Sequence, residues 1–149
     1  MSTYTQILYH IVFSTKERRP VLSDSRRDEL SMYATGVIKN HHCHPIWING
    51  VRDHLHMLLS LHPTVGLANL VKDIKVASSI WIKKDDHIFP NFEAWQDGYG
   101  AFTYSLRDEP ELIAYLKAQE EHHRKATFLE EYRKLLLDHG IKIEEKYFL

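Results

Sequence analysis

The sequence predicts an α+β domain, with an antiparallel sheet carrying helices on one face and further helices appended at the C-terminal end. Three observations lead there. A β-branched and aromatic run without Gly or Pro lies near the start of the chain. Two segments of helical periodicity alternate with segments of two-residue periodicity. The resulting order is strand, helix, strand, strand, helix, strand, followed by two more helical stretches.

Each element has its own justification. Tyr4 to Ser14 reads as a buried strand, stopped by the charged run Lys16-Glu17-Arg18-Arg19-Pro20. Ser23 then caps a helix running to about Asn40, with Leu30, Tyr33, Ala34, Val37 and Ile38 at helical spacing. Pro45 to Asn49 is a second strand, and Asn49-Gly50 is a hairpin-turn signal that returns the chain into a third, Asp53 to Leu61. Gly66 to Lys84 places Leu67, Leu70, Val71, Ile74, Ala77 and Ile80 on one helical face. Ala94 to Ser105 is a strand entered through a bend at Gly98 and Gly100. A helix follows Pro110, from 111 to about 125, and another spans Phe128 to Asp138, closed by Gly140 in the usual stop position. The β-α-β-β-α-β order resembles the ferredoxin-like split βαβ arrangement.

Length and composition support a single domain over 1–149, ending in a C-terminal helix and tail at 128–149. A chain of 149 residues buries roughly 68–70% of its unfolded surface and needs no staples. Hydrophobic residues at 44% and charged residues at 26% exclude a disordered or coiled-coil class. One cysteine, Cys43, excludes an internal disulfide framework. No basic segment followed by an apolar run opens the chain, and its longest uncharged stretch holds three histidines, a proline and a glycine. A soluble, cytoplasmic protein without a membrane partner is expected. Net charge is −1, yet the distribution is split: residues 1–84 carry 11 Lys and Arg against 6 Asp and Glu, residues 85–149 carry 8 against 14. Because charge acts over about 8–10 Å, the basic half can meet phosphates while the acidic half faces elsewhere.

Two constellations carry chemistry. In His54-Leu55-His56, strand alternation sends both imidazoles to one face and Leu55 to the other. Such a pair is either a metal-ligand pair or two satisfied polar residues on a half-exposed sheet. On the later helix, Tyr115, Gln119 and His122 share a stripe at i, i+4 and i+7. The phenol can act as a covalent nucleophile and the amide oxygen as a neutral ligand; taken alone, Tyr115 reads rather as a core aromatic beside Leu112 and Ile113, with Gln119 and the histidines on a solvated edge.

The ordered set is more specific than either part. Asp53-His54-Leu55-His56, followed about sixty residues later by Tyr115-Leu116-Lys117-Ala118-Gln119-Glu120-Glu121-His122-His123, resembles the HUH single-tyrosine transposases. These are the small transposases of the insertion-sequence-two-hundred type and their relatives associated with repetitive extragenic palindromes. Leu70-Val71-Lys72-Asp73-Ile74-Lys75 with Ser78-Ser79 and Trp81, then Trp95 to Phe102, are also similar to family sequence, and the likeness runs from about Tyr4 to Glu131.

The resemblance implies that His54 and His56 bind Mg²⁺ or Mn²⁺ and that Gln119 completes the ligand set. It implies that Tyr115 attacks a phosphodiester of single-stranded DNA, leaving a 5′-phosphotyrosine and a free 3′-OH that a second strand later replaces. The resemblance also implies recognition of DNA hairpins and a homodimer. Two imidazoles and an amide are neutral, which would leave an ion its full charge for the scissile phosphate. A tyrosine with a pKa near 10 is about one part in a thousand phenolate at pH 7, and no residue in the sequence marks itself as the base. No nucleotide-binding loop occurs, in keeping with chemistry that retains the phosphoester. Arg18, Arg19, Lys72 and Lys75 are candidate phosphate contacts, Ser78 a candidate DNA contact, and Trp81 a candidate stacking platform. The competing functions are a metal-dependent phosphodiesterase in which water attacks, and a non-catalytic module binding single-stranded nucleic acid.

Overall fold

A computed structural model describes residues 1–119, 121 and 126–145 of the chain. Four strands, β1 (Leu8–Ser14), β2 (His44–Gly50), β3 (His54–Ser60) and β4 (Gly100–Tyr104), form one sheet in the order β2-β3-β1-β4, with every neighbour antiparallel. The fold includes the helices α1 (Arg27–Asn40), α2 (Leu67–Lys83), α3 (Glu109–Lys117) and α4 (Phe128–Asp138). This is the ferredoxin-like α+β arrangement expected from the element order.

Alternation divides the sheet into two dissimilar faces. Ile11, Phe13, Leu55, Met57 and Leu59 point to one side, where Leu30, Ala34 and Ile38 of α1 and Leu70, Val71 and Ile74 of α2 close the main core. Burying a side chain of this kind contributes roughly 1.5–3 kcal/mol, so this layer dominates stability. Leu8, His10, Val12, His54, His56, Leu58 and Phe102 point to the other side. The appended helices cover that second face: Leu112 and Leu116 of α3 pack with Leu8 and Leu58, and Phe128 of α4 packs with Val12 and Phe102. The three histidines lie on the same face as these two small apolar clusters.

Several boundaries depart from the sequence expectation, each for a physical reason. β1 begins at Leu8 rather than Tyr4, because β3 ends at Ser60 and β4 at Tyr104, opposite Leu8. Beyond it Leu61 reaches across, donating its N–H to Ile7 O at 2.8 Å. Asn49 and Gly50 stay in β2, paired with His56 and Leu55, and the turn falls on 51–53, where Val51 N donates to His54 O at 2.9 Å. The expected strand from Ala94 is interrupted. Trp95 pairs singly with Thr15, the chain then leaves the sheet through Gly98 at φ 86°, and re-enters at Gly100. A side chain at Gly100 would bring a Cβ within 2.6 Å of Tyr132, so the glycine permits α4 to lie directly on β4. A 3₁₀ turn over Asp24–Arg26 precedes α1, which starts at Arg27. Among the described residues, no helix is long and apolar enough to cross a membrane.

Candidate active site

β3 supplies the imidazole pair. His54 and His56 are fully buried, across from Ser14 and Val12 of β1. Their rings meet edge to face at 4.8 Å, and their Nε2 atoms are 3.1 Å apart. Each ring has a partner on its far nitrogen: His54 Nδ1 meets Asp53 Oδ1 at 2.6 Å, and His56 Nδ1 meets Nε2 of His10 at 2.7 Å. Burial lowers the His54 pKa, but hydrogen bonds to Asp53 and Glu131 outweigh it and the net displacement is upward. Positive charge is therefore favoured at this point of the site. His10 moves the other way, well below the ordinary imidazole range, through burial first and the neighbouring His56 second.

α3 supplies the tyrosine. Pro110 sits in its first turn, where the missing N–H has no helical acceptor to lose. Leu112 and Leu116 form its buried stripe. The last turn is tied to β2: Asn49 Nδ2 donates to the Leu116 carbonyl at 2.7 Å, and the Lys117 ammonium lies 5.0 Å from the centre of the Trp47 ring. The helix closes at Lys117, earlier than the 111–125 span expected, with Ala118 as its C-cap. Gln119 lies just past this turn, fully buried, and donates from Nε2 to the Tyr115 carbonyl at 3.4 Å. Of the expected stripe, Tyr115 and Gln119 are thus brought together, while His122 and His123 fall outside the described residues. Burial, then the charge of Glu131, then its hydrogen bond raise the Tyr115 pKa far above that of a free phenol; a hydrogen bond from Gln119 pulls in the opposite direction.

The residue that joins the two constellations is Glu131, which the motif reading did not single out. It lies on α4, where Thr127 caps the N-terminus by accepting from the Glu130 N–H at 3.2 Å. Phe128, Tyr132, Leu135 and Leu136 are spaced as an apolar stripe, and Glu131 stands in that stripe with 3% exposure. A carboxylate inside the apolar face of an amphipathic helix was the available signal. Its Oε1 lies 3.1 Å from His56 Nε2 and 3.6 Å from His54 Nε2, while its Oε2 accepts the Tyr115 hydroxyl at 2.5 Å. His54, His56 and Glu131 can each offer one atom within 4.8 Å of the others. Two imidazole nitrogens and a carboxylate oxygen, all buried, suit a divalent ion, and the site fits one. An open groove of about 430 Å³ lies on the far side of Phe128, which stacks on His54, and is lined by Ser14, Gln96, Tyr99, Phe128, Tyr132 and Lys142 among others.

The proposed DNA contacts are scattered. Lys72 is exposed on α2 and Arg18 is half-exposed. Arg19 pairs with Glu17 at 2.8 Å and Glu93 at 3.2 Å. Trp81 stacks on Tyr33 with ring centres 5.2 Å apart. Two residues turn inward. Lys75 donates to the carbonyls of Gln96 and Gly98, holding the segment that interrupts β4, and is half-buried with its pKa lowered by desolvation. Ser78 is fully buried, so the surface offered to nucleic acid is not its own: it donates to Ile74 O at 2.6 Å and accepts the Trp95 indole N–H at 2.9 Å. Ser78→Ala leaves that buried indole N–H without its acceptor and is expected to cost about 1–3 kcal/mol in urea unfolding. A variant as stable as the wild type would show that the indole finds another partner.

Comparison with known proteins sets this geometry in a lineage. No curated protein matches the sequence. Among solved structures, a candidate transposase from Deinococcus radiodurans superposes with a TM-score of 0.63 at 23% identity, over 80% of this chain and 95% of that one. A REP-associated tyrosine transposase bound to a REP hairpin superposes with a TM-score of 0.57 at 14% identity, over 83% of this chain and 74% of that one. At these identities the likeness establishes a common fold. The family model described as "Transposase IS200 like" matches residues 3–119. That span takes in all four strands, both crossover helices, the imidazole pair, Tyr115 and Gln119, and on this match the chain belongs to the IS200-like transposase family.

Proposed function

We propose that this transposase cleaves and rejoins single-stranded DNA through a 5′-phosphotyrosine on Tyr115, beside a divalent metal held by His54 and His56. Glu131 is the third donor the cluster offers, and Gln119 is the one the resemblance implies. One observation carries the reading: a single carboxylate touches both the Tyr115 hydroxyl and the His56 Nε2. The nucleophile and the candidate ion site are thus one residue apart, although the sequence separates them by about sixty.

A bound Mg²⁺ or Mn²⁺ would supply positive charge to the non-bridging oxygens of the scissile phosphate. The remaining steps belong to the chain's own residues. Asp53 holds the outer nitrogen of His54 and fixes the orientation of that ring. Glu131 Oε2 is placed to accept the phenol proton as the Tyr115 oxygen attacks phosphorus. The new bond is tyrosine O–P; the bond that breaks is P–O3′, and the departing 3′-oxygen takes a proton from solvent. An incoming 3′-OH reverses the step, so no nucleotide cofactor is required. The groove beside Phe128 would seat unpaired nucleotides next to the ring that covers His54. Hairpin recognition is supported by fold likeness to the hairpin-bound transposase, and Arg18, Arg19, Lys72 and Trp81 are the surface groups available to it. A homodimer belongs to the same proposal.

The test is incubation with labelled single-stranded DNA hairpins and Mn²⁺. A protein–DNA adduct that survives SDS and is abolished by chelation is the expected result. Cleaved DNA without an adduct would point instead to water as the nucleophile, and binding without cleavage to a non-catalytic module.

A further inference from the structure

His10 plays no part in the transesterification above, yet it is placed where a spectator would be unfavourable. It stands on the central strand β1, 1% exposed, against Phe102 and Tyr104. Among the described residues its Nδ1 has no hydrogen-bond partner. An imidazole with an orphaned buried nitrogen costs free energy that Leu or Phe in the same place would not. Its other nitrogen, Nε2, makes one close contact, with His56 Nδ1 at 2.7 Å, and the two rings lie nearly parallel, 19° apart.

We infer that His10 is a positioning residue for the metal site: its Nε2 accepts the Nδ1–H of His56, fixing the tautomer in which the His56 Nε2 lone pair faces His54 and Glu131. The inference rests on the metal reading proposed above. A neutral imidazole carries one proton, so an Nε2 that is to ligate requires the proton on Nδ1 and an acceptor there. His54 has such an acceptor in the Asp53 carboxylate; for His56 the acceptor is an imidazole on a neighbouring strand. Antiparallel register explains the choice. Val12 stands directly opposite His56, and His10, two residues along β1, shares its face and reaches diagonally to the outer nitrogen. The two ligands are therefore held unequally, one by an anion and one by a neutral ring.

The experiment is Mn²⁺ binding to DNA-free protein, followed by the EPR signal of free Mn²⁺, for wild type, His56→Ala, His10→Leu and His10→Gln. Glutamine keeps an acceptor oxygen near the position of Nε2, whereas leucine keeps only bulk. The expected result is at least about tenfold weaker binding for His10→Leu and binding within about threefold of wild type for His10→Gln. Equal binding in His10→Leu, or equal weakening in both variants, overturns the positioning role while leaving the metal site intact. Failure of the wild type to bind Mn²⁺, or no loss in His56→Ala, overturns the metal reading and this inference with it. Because His10→Leu lies in the core and could fail to fold, ¹⁵N spectra of the wild type saturated with Mg²⁺ give an independent reading. His56 protonated at Nδ1 with His10 unprotonated at Nε2 supports the assignment; a proton on His10 Nε2 overturns it.

Discussion

Tyr115→Phe is expected to reduce the SDS-stable DNA adduct by about a thousandfold or more, to below detection, while hairpin binding and Mn²⁺ binding stay near wild type. The substitution removes one oxygen from a ring that is partly buried against the α3 cluster, so the packing that seats the helix persists. What goes is the hydroxyl that donates to Glu131 at 2.5 Å. Loss of that bond to a buried carboxylate is expected to cost about 1.5–3 kcal/mol of stability. The separation between a lost adduct and retained binding is the informative feature. Adduct at wild-type yield in the phenylalanine variant would remove Tyr115 as nucleophile and transfer the question to another side chain.

Glu131→Ala is expected to have the next largest effect, because it acts on both halves of the site at once. Its carboxylate is the only acidic member of the buried cluster His54–His56–Glu131 found among the described residues. Mn²⁺ affinity is expected to fall by at least about tenfold, and adduct formation at saturating Mn²⁺ by roughly a hundredfold through loss of the proton acceptor. Glu131→Gln separates the two roles: an amide oxygen still reaches the imidazoles, but it is a poor proton acceptor. The glutamine variant is therefore expected to keep more metal affinity than activity. Isothermal titration with Mn²⁺ and single-turnover adduct assays provide the two readings. Unchanged Mn²⁺ affinity in Glu131→Ala would remove it from the ligand set and leave Gln119 as the third donor.

The parts of this site that were legible in the sequence are those fixed by local periodicity. Strand alternation alone sends His54 and His56 to one face, and the four-residue spacing keeps Gln119 near Tyr115 even though α3 ends at Lys117 between them. The α4 boundaries follow from Phe128, Asp138 and Gly140, the last at φ 70°. What was not legible depends on how one element docks on another. His10 acquires its role only through the β1–β3 register, which no single strand encodes. Glu131 reaches the imidazoles only because α4 lies on β4, an approach made possible by the absence of a side chain at Gly100. Asn49 looked like a turn residue because Asn-Gly favours positive φ; the strand continued through it because its amide had the Leu116 carbonyl to satisfy. Ser78 and Lys75 looked like surface polar groups until the 94–98 segment folded over them.

One consequence follows from the way α4 covers the second sheet face. The Phe128 ring lies almost flat on His54, centres 4.4 Å apart, three residues before the carboxylate that engages Tyr115. Both histidines are sealed from solvent in this arrangement. Because the sealing ring and the carboxylate ride on one rigid rod, a single swing of that rod would unroof the imidazoles and unhook the phenol in the same motion. Access to the imidazoles and the hold of the phenol on its proton acceptor would thereby be coupled through one helix.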